Sequence, residues 1–366
     1  MNGTWGSAIG LTLFGESHGQ GVGITMSQLP AGVELDLEEI QRELDRRKPG
    51  TSDLVTPRKE ADQFQLMSGF FQGKTTGAPL TAFIPNTNQR SRDYNKIKDV
   101  LRPGHADWTA HIKYDHHHDY RGGGHFSGRL TAGLVFAGAV AKQLLKRSHI
   151  QVGAAIQSIH KVSCEHIHTD WTKDDLLRVD FGKWSQSPFP VLDDQMAGPM
   201  KAAIEEAKAE HNSVGGVIRG FAVGLPAGLG RPFFDSLESQ MAHLIFSIPA
   251  VKGLAFGEGF DLSRMKGSEA NDEIYIEEGV IRSRTNHNGG ILGGISNGMP
   301  LDLTVGIKPT PSIGLAQETI NVARGETVHH QTDGRHDPCI VPRAVPVVEA
   351  AMALVVLDAL LSESRV

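Results

Sequence analysis

The chain has 366 residues, and its 36 lysines and arginines against 42 aspartates and glutamates give a formal net charge of −6 and an isoelectric point near 6.3. It carries no lysine-rich run or basic tail, so nucleic acid is not an expected partner, and its length can bury a full core in one large domain or two ordinary ones. Two distant cysteines, Cys164 and Cys339, form no disulfide framework, which fits a reducing, cytoplasmic compartment, and no signal peptide is expected before the first motif.

Forty-two glycines and eighteen prolines without a low-complexity linker predict many short strands and tight turns interrupted by a few strong helices. In Phe14-Gly15-Glu16-Ser17-His18-Gly19 a histidine stands between glycines. The glycines permit close backbone approach to a ligand and the imidazole titrates near neutrality, although a turn histidine donating to a backbone carbonyl accounts for the same pattern. Asp36 can cap a helix with Glu38 and Glu39 in its first turn and Leu37, Ile40 and Leu44 as its apolar stripe. Pro49-Gly50 ends it, which sets Arg46, Arg47 and Lys48 at its C-terminal end. Ser68 to Thr75 resembles a P-loop, but serine stands where the first glycine belongs, and Thr76-Gly77-Ala78-Pro79-Leu80 cannot open the helix a P-loop needs. A phosphotransferase using Lys74 is the enzyme alternative that this stretch leaves.

Proline and glycine fix a turn in Arg102-Pro103-Gly104-His105-Ala106-Asp107, where Asp107 can orient the His105 ring. Gly122-Gly123-Gly124 after Arg121 lacks the spacing of a dinucleotide fingerprint and better suits backbone passing under a flat ring or a phosphate. His116-His117-His118-Asp119 and Cys164-Glu165-His166-Ile167-His168 invite a metal reading; neither pairs with a second ligand cluster, so a polar strand or loop face is preferred and no metal is expected. Thr131–Leu145 and Ala344–Leu361 are apolar nearly all round, as core helices are. The most apolar run, Ala350 to Leu361, follows Glu349, contains Asp358 and falls short of the ~20 residues of a membrane span, so no membrane is expected. Asn286 to Gly294 and Lys308 to Ser312 are loops rich in turn formers and exposed amides, either structural or donors for a phosphate or flavin edge.

Four landmarks recur in order. Leu29-Pro30-Ala31-Gly32 returns as Leu225-Pro226-Ala227-Gly228, each before a helix opened by an aspartate, Asp36 or Asp235, and Gly77-Ala78-Pro79-Leu80 returns as Gly298-Met299-Pro300-Leu301. Arg121 and Arg129, followed by an apolar helix, return with the same spacing as Arg335 and Arg343. Two α+β halves related by a pseudo-two-fold are expected, roughly 1–150 and 210–366 joined by 151–209 within a single domain, with motifs from both meeting at the junction. Chance likeness between glycine-rich strand-turn-helix units is the other explanation. Arg46, Arg47, Arg90, Arg92, Arg102, Arg121, Arg129, Arg335 and Arg343 all sit beside turns or glycines. Bidentate recognition of carboxylate and phosphate explains such placement, while any one of them alone reads equally as a surface ion pair.

Six ordered motifs resemble the chorismate synthase family from about Trp5 to Leu361: Phe-Gly-Glu-Ser-His-Gly, Asp-Arg-Arg-Lys-Pro-Gly-Thr-Ser, Arg-Pro-Gly-His-Ala-Asp, Asp-Tyr-Arg-Gly-Gly-Gly, Asn-Gly-Gly-Ile-Leu-Gly-Gly-Ile and Gly-Arg-His-Asp-Pro-Cys. The resemblance implies a lyase that converts 5-enolpyruvylshikimate 3-phosphate to chorismate and phosphate by anti 1,4-elimination, requiring reduced FMN without net redox change. By resemblance, His18 protonates the departing phosphate, His105 protonates or stabilises the reduced flavin, and Asp337 assists deprotonation at the flavin N5. Arg47, Arg129 and Arg343 match positions that hold substrate phosphate and carboxylates. Family flavin positions fall on His125, Phe126, Ser127, Pro249, Ala250, Gly293, Lys308, Pro309, Thr310, Pro311, Ser312 and Arg335. The chain departs from the commonest pattern at His125-Phe126-Ser127, where arginine-serine-serine is usual, at Pro249 in place of asparagine, and at Asp53 in place of an arginine. The implied fold is α+β, a β-α-β sandwich of apolar helices between antiparallel sheets, assembled as a homotetramer, with NADPH a candidate reductant in some members. A flavin- or anion-binding protein without turnover is the alternative.

Overall fold

The computed structural model describes residues 3–49, 61–87, 98–164, 180–331 and 337–363. Two antiparallel five-stranded sheets flank a layer of helices. The first contains β1 (Thr4–Trp5), β2 (Gly10–Gly15), β3 (Gly21–Ser27), β4 (Gln65–Ser68) and β5 (Leu80–Pro85), in the order β1-β2-β3-β5-β4. The second contains β6 (Gln151–Ile159), β7 (Val162–Ser163), β8 (Gly216–Val223), β9 (Val251–Phe256) and β10 (Leu301–Ile307), in the order β9-β10-β8-β6-β7. The helices used below are α1 (Leu37–Arg47), α2 (Asp107–Lys113), α3 (Thr131–Lys146), α4 (Ala197–Ala209), α5 (Leu237–Ile245) and α6 (Val341–Glu363).

Both sheets follow one circuit. β2, β3, α1, β4, β5 and α3 in the first correspond to β6, β8, α5, β9, β10 and α6 in the second, and in each sheet the fourth strand of the circuit lies between the second and the third. The recurring sequence landmarks occupy matching places and make matching bonds. After β3, Thr75 Oγ1 donates to Pro30 O at 2.6 Å and accepts from Val33 N at 2.9 Å; after β8, Ser296 Oγ donates to Pro226 O at 2.6 Å and accepts from Leu229 N at 2.9 Å. Strand β6 is hydrogen-bonded to β8, so the second sheet begins at Gln151.

Asp36 caps α1 as the sequence indicates, accepting from Glu39 N at 2.9 Å. The corresponding helix α5 is capped one residue later than expected: Ser236 accepts from Ser239 N, while Asp235 takes the side chain of Gln240. Ser68 to Thr75 is no P-loop, because Phe70–Phe71 and Lys74–Thr75 pair as a hairpin around Gln72-Gly73. Helix α6 begins before the expected Ala344, although Pro342 and Pro346 argue against helix. Pro342 falls in the first turn, where a missing N–H costs nothing, and Pro346 one turn in removes a single bond that the surrounding core outweighs.

Helix α6, 23 residues long, contains an 18-residue stretch of mean hydropathy 2.1 and so is long and apolar enough to cross a membrane, but 78% of that stretch is buried inside the protein. It packs against α3, α5, β6 and β8. A side chain on Gly138 of α3 would place its Cβ 2.2 Å from Ala350 Cβ, so glycine sets how closely the two core helices approach. One buried apolar cluster includes residues of both sheets and both helices. Inside it, Glu349 of α6 accepts two bonds from Arg46 at 2.6 and 2.8 Å, one from Lys142 at 2.5 Å and one from Ala154 N at 3.2 Å, which ties α1, α3 and β6 to α6. Burial alone would raise the Glu349 carboxyl, but Arg46 and Lys142 hold it down at about 2.

Candidate active site

Helices α3 and α6 start at the same place. Their first turns, with the loops that precede α2 and α3 and the segments after α5 and β10, enclose a cavity of about 770 Å3. Two helix N-termini favour negative charge there. Three arginines add to it: Arg47 at the end of α1, Arg129 just before α3 and Arg343 in the first turn of α6, all in the cavity wall.

The guanidiniums are held by one another's partners. Asp62 bridges Arg47 Nη2 and Arg129 Nη1 through its two oxygens. Arg129 also donates to Asn86 Oδ1 at 2.9 Å and Pro85 O at 3.1 Å. Arg343 donates to Asp337 Oδ2 at 2.6 Å and to the Arg47 carbonyl at 3.1 Å. Burial pushes Arg47 down to about 10; Asp62 opposes this shift, and the like charges of Arg343 and Arg129 add to it. Burial would raise the Asp62 carboxyl, but Arg47 and Arg129 carry it below the ordinary carboxylate range.

His18 is buried directly beneath the triple glycine. A Cβ on Gly122 would lie 2.2 Å from both Cε1 and Nδ1 of the ring and 2.9 Å from Ser17 Oγ. Gly122, Gly123 and Gly124 take φ values of +58°, +82° and +52°, a run in the left-handed region that side chains disfavour. Gly122 therefore brings backbone against an imidazole on one side, while Gly122 and Gly123 also line the cavity. His105 faces the same cavity from the loop before α2, with Nε2 2.7 Å from Ser312 Oγ. The Asp107 carboxylate, expected to orient that ring, interacts electrostatically with His105 and receives the fork of Arg102 at 2.8 Å from both Nε and Nη2. Lys308 Nζ donates to Gly104 O at 2.7 Å, fastening the His105 loop to the segment after β10.

Of the predicted flavin positions, His125, Phe126, Ser127, Pro249, Ala250, Lys308, Thr310, Pro311 and Ser312 line the cavity. His125 Nδ1 lies 2.9 Å from Gly15 O, and Ser127 Oγ accepts from Arg129 N. Pro309 lies between two lining residues without joining the wall. Gly293 sits in the turn between Ile291–Leu292 and Ile295–Ser296, outside the cavity, and Arg335 and Asp53 lie outside the described residues. The loop from Asn286 is fastened internally: Asp272 accepts from the backbone of His287 and Asn288 and from the Thr285 hydroxyl, while Asn286 is buried against Pro300 O.

The turn-bound arginines separate by partner. Arg46 enters the core at Glu349, Arg102 and Arg121 staple their own loops through Asp107 and Asp119, and Arg47, Arg129 and Arg343, with Arg102, line the cavity. Arg90 and Arg92 lie outside the described residues, as do His166 and His168. Among the described residues no group of three or more His, Cys, Asp or Glu is arranged to hold a metal ion.

A flat cofactor suits the wall. Pro249, Ala250, Pro311 and Phe126 give it apolar surface, and the buried Thr310 Oγ1 and His118 Nδ1 at its edge have no hydrogen-bond partner among the described residues. The volume is within the ~300–1,000 Å3 of small-molecule sites. A sandwich with this cationic pocket at the junction of its sheets, lined by His105, His118 and His125 with His18 buried beneath Gly122, defines an enzyme for a polyanionic small molecule.

Comparison with known proteins names the family. The family model described as chorismate synthase matches residues 9–361. The chain is 43% identical over 358 residues to the chorismate synthase of Methanobrevibacter smithii, covering 98% of this chain and 96% of that protein. To the enzyme of Thermococcus gammatolerans it is 45% identical over 357 residues, covering 97% of each. A crystal structure of chorismate synthase superposes with a TM-score of 0.77 at 30% identity, covering 98% of this chain and 93% of that one. The chain belongs to the chorismate synthase family, and its function is the formation of chorismate in the shikimate pathway.

Proposed function

We propose that the cavity eliminates phosphate from 5-enolpyruvylshikimate 3-phosphate as a carbon–oxygen lyase, with reduced FMN bound in the same space. The observation that carries this is the convergence of His105, Asp337, Arg47, Arg129 and Arg343 on one cavity, with His18 directly beneath its Gly122 wall. The C3–O bond breaks with its electron pair going to phosphate, and the C6–H bond breaks with its proton ending on the Asp337 carboxylate and its electron pair making up the new C=C. When bound, the reduced flavin supplies electron density that is returned by the end of the reaction, so no net redox change results.

The chain's own groups supply binding and protons. Arg47, Arg129 and Arg343, aided by two helix N-termini, hold the phosphate and carboxylates and fix the substrate's orientation before reaction. His18 delivers a proton to the leaving phosphate oxygen; its position against the Gly122 backbone gives the ring one place to stand. His105 holds a proton toward the cofactor, oriented by Ser312, and Asp337, oriented by Arg343, receives a proton on its carboxylate. Each such proton transfer is worth ~10²–10⁴-fold. His125, Phe126, Ser127, Pro249, Ala250 and Lys308 to Ser312 hold the FMN, with Thr310 Oγ1 offering a free hydroxyl to it. NADPH serves as reductant where flavin reduction is intrinsic.

Anaerobic assay with chemically reduced FMN tests this: chorismate absorbance and phosphate rise together, fall steeply in His18→Ala and His105→Ala, and ignore ATP. FMN binding without phosphate release would leave only a flavin-binding protein. We further take the chain as one domain of two related halves that works in the cytoplasm and assembles as a homotetramer. Exposed Phe233, Phe234, Phe260, Ile274, Ile276 and Ile281 support assembly, since such apolar surface favours a partner; light scattering at the mass of a monomer would refute it.

A further inference from the structure

A buried carboxylate beside the cavity belongs to a residue without a role so far. The Asp62 side chain is fully buried, with 0% exposure, and its backbone stands at φ +48°, left-handed for a residue with a side chain. Its two oxygens are divided between two arginines, Arg47 from α1 and Arg129 from the entry to α3, and its carbonyl accepts from Gln41 Nε2 of α1 at 3.4 Å.

Two facts set its role apart from that of a ligand-like anion. Arg47 and Arg129 form part of the cavity wall and Asp62 does not, so the guanidiniums stand between the carboxylate and the cavity. Arg47 Nη1 otherwise reaches only Gly128 O and Thr131 Oγ1, both at 3.4 Å, so among the described residues the strong contact that fixes its plane is Asp62. We propose that Asp62 is a positioning residue of the anion site: from behind the wall it binds Arg47 and Arg129 into one rigid pair that receives a single anionic group of the substrate, phosphate or carboxylate. This rests on the elimination proposed above.

Neutralising Asp62 removes the brace and leaves Arg47 facing Arg129 and Arg343 with no carboxylate among its described partners. The loss of an anionic neighbour disfavours the cationic form, so Arg47 gives up its proton at lower pH. Steady-state kinetics of Asp62→Asn with reduced FMN, alongside wild type, tests both consequences. KM for 5-enolpyruvylshikimate 3-phosphate rises at least ~10-fold, kcat stays within ~3-fold, and the alkaline limb of kcat/KM moves down by about a pH unit. A structural role alone would lower melting temperature and active fraction without moving KM or that limb.

Unchanged KM and an unmoved limb overturn the proposal. A lowered KM overturns it too, because Asp62 would then be competing with substrate. If Asp62→Asn does not fold, Asp62→Glu carries the test: the charge stays but is displaced, so KM rises with kcat kept, and a wild-type KM overturns the proposal. Failure of the wild-type protein to release phosphate with chorismate would instead overturn the elimination itself.

Discussion

Alanine at Gly122 separates the two effects that the triple glycine combines. At φ +58° the added methyl costs ~1–2 kcal/mol of backbone strain, and its Cβ falls 2.2 Å from Cε1 and Nδ1 of His18. Ordinary contact needs ~3.5 Å, so the imidazole must retreat by more than ~1 Å, a displacement able to cost ~10²-fold in rate. Gly123→Ala is the control, since it incurs the same kind of strain at φ +82° while its Cβ comes no closer than 3.9 Å to Ser127 Cβ. Gly122→Ala should therefore melt somewhat below Gly123→Ala, because it adds an overlap to the same strain, and kcat, followed anaerobically as chorismate absorbance with chemically reduced FMN, should be ~10²-fold lower in Gly122→Ala than in wild type and at least ~10-fold below Gly123→Ala. If the two variants turn over within a factor of about three of each other while both remain folded, His18 does not work from this position.

Three further perturbations follow from the geometry. Ser312→Ala deprives His105 Nε2 of its partner at 2.7 Å and should lower kcat by about threefold to tenfold, the worth of one hydrogen bond, with KM for substrate nearly unchanged; a larger loss in KM than in kcat would contradict the assignment. Glu349 is depressed from 4.5 to about 2, so its contribution is present above pH ~4.5 and is lost as pH falls through ~2, amounting to about 3 kcal/mol. Urea melts from pH 5 to pH 2 should show that slope, and Glu349→Gln should be less stable at pH 7 and flatter in acid; an unchanged slope would refute it. Gly138→Ala forces Cβ to within 2.4 Å of Ala350 Cα, backbone that cannot rotate away, and should cost about 2–3 kcal/mol in the urea midpoint, whereas a neutral result would mean the α3–α6 crossing is looser than described.

Patterns that act locally were legible in the sequence. The Asp36 cap, the apolar stripe of α1 and the all-round apolar helices are fixed by neighbours within a few residues, and they stand close to where expected. The repeated Leu-Pro-Ala-Gly segments were visible because each must make the same turn against a hydroxyl, Thr75 or Ser296. Partner choice was not visible. Nothing in Arg102-Pro-Gly-His-Ala-Asp says that Asp107 serves Arg102 while Ser312, far along the chain, meets His105, because that pairing is made by tertiary approach. Nine arginines beside turns look alike in sequence; helix geometry sends Arg46 to Glu349 and its neighbour Arg47 to the cavity, since adjacent residues leave a helix about 100° apart. Asp62 carries no motif at all.

The duplicated circuit also explains why the site lies at the junction and is not symmetric. Arg129 precedes one core helix and Arg343 opens the other, and each pairs with a carboxylate, Asp62 or Asp337. Equivalent scaffolds thus deliver two arginine–carboxylate pairs to the same place, adding two helix N-termini that neither half alone would combine. The pairs differ in exposure: the Asp62 side chain is 0% exposed and walled off, whereas Asp337 keeps 13% and borders the cavity. A carboxylate closed off behind two guanidiniums can only hold them, while one that borders the cavity can exchange a proton with a bound ligand. On this argument exchanging the two substitutions distinguishes the roles: Asp62→Asn moves KM, and Asp337→Asn, which keeps a hydrogen-bond acceptor for Arg343, lowers kcat by ~10²-fold or more with KM little changed. Equal effects of both substitutions on KM would show that the halves contribute alike and that the asymmetry in burial has no chemical consequence.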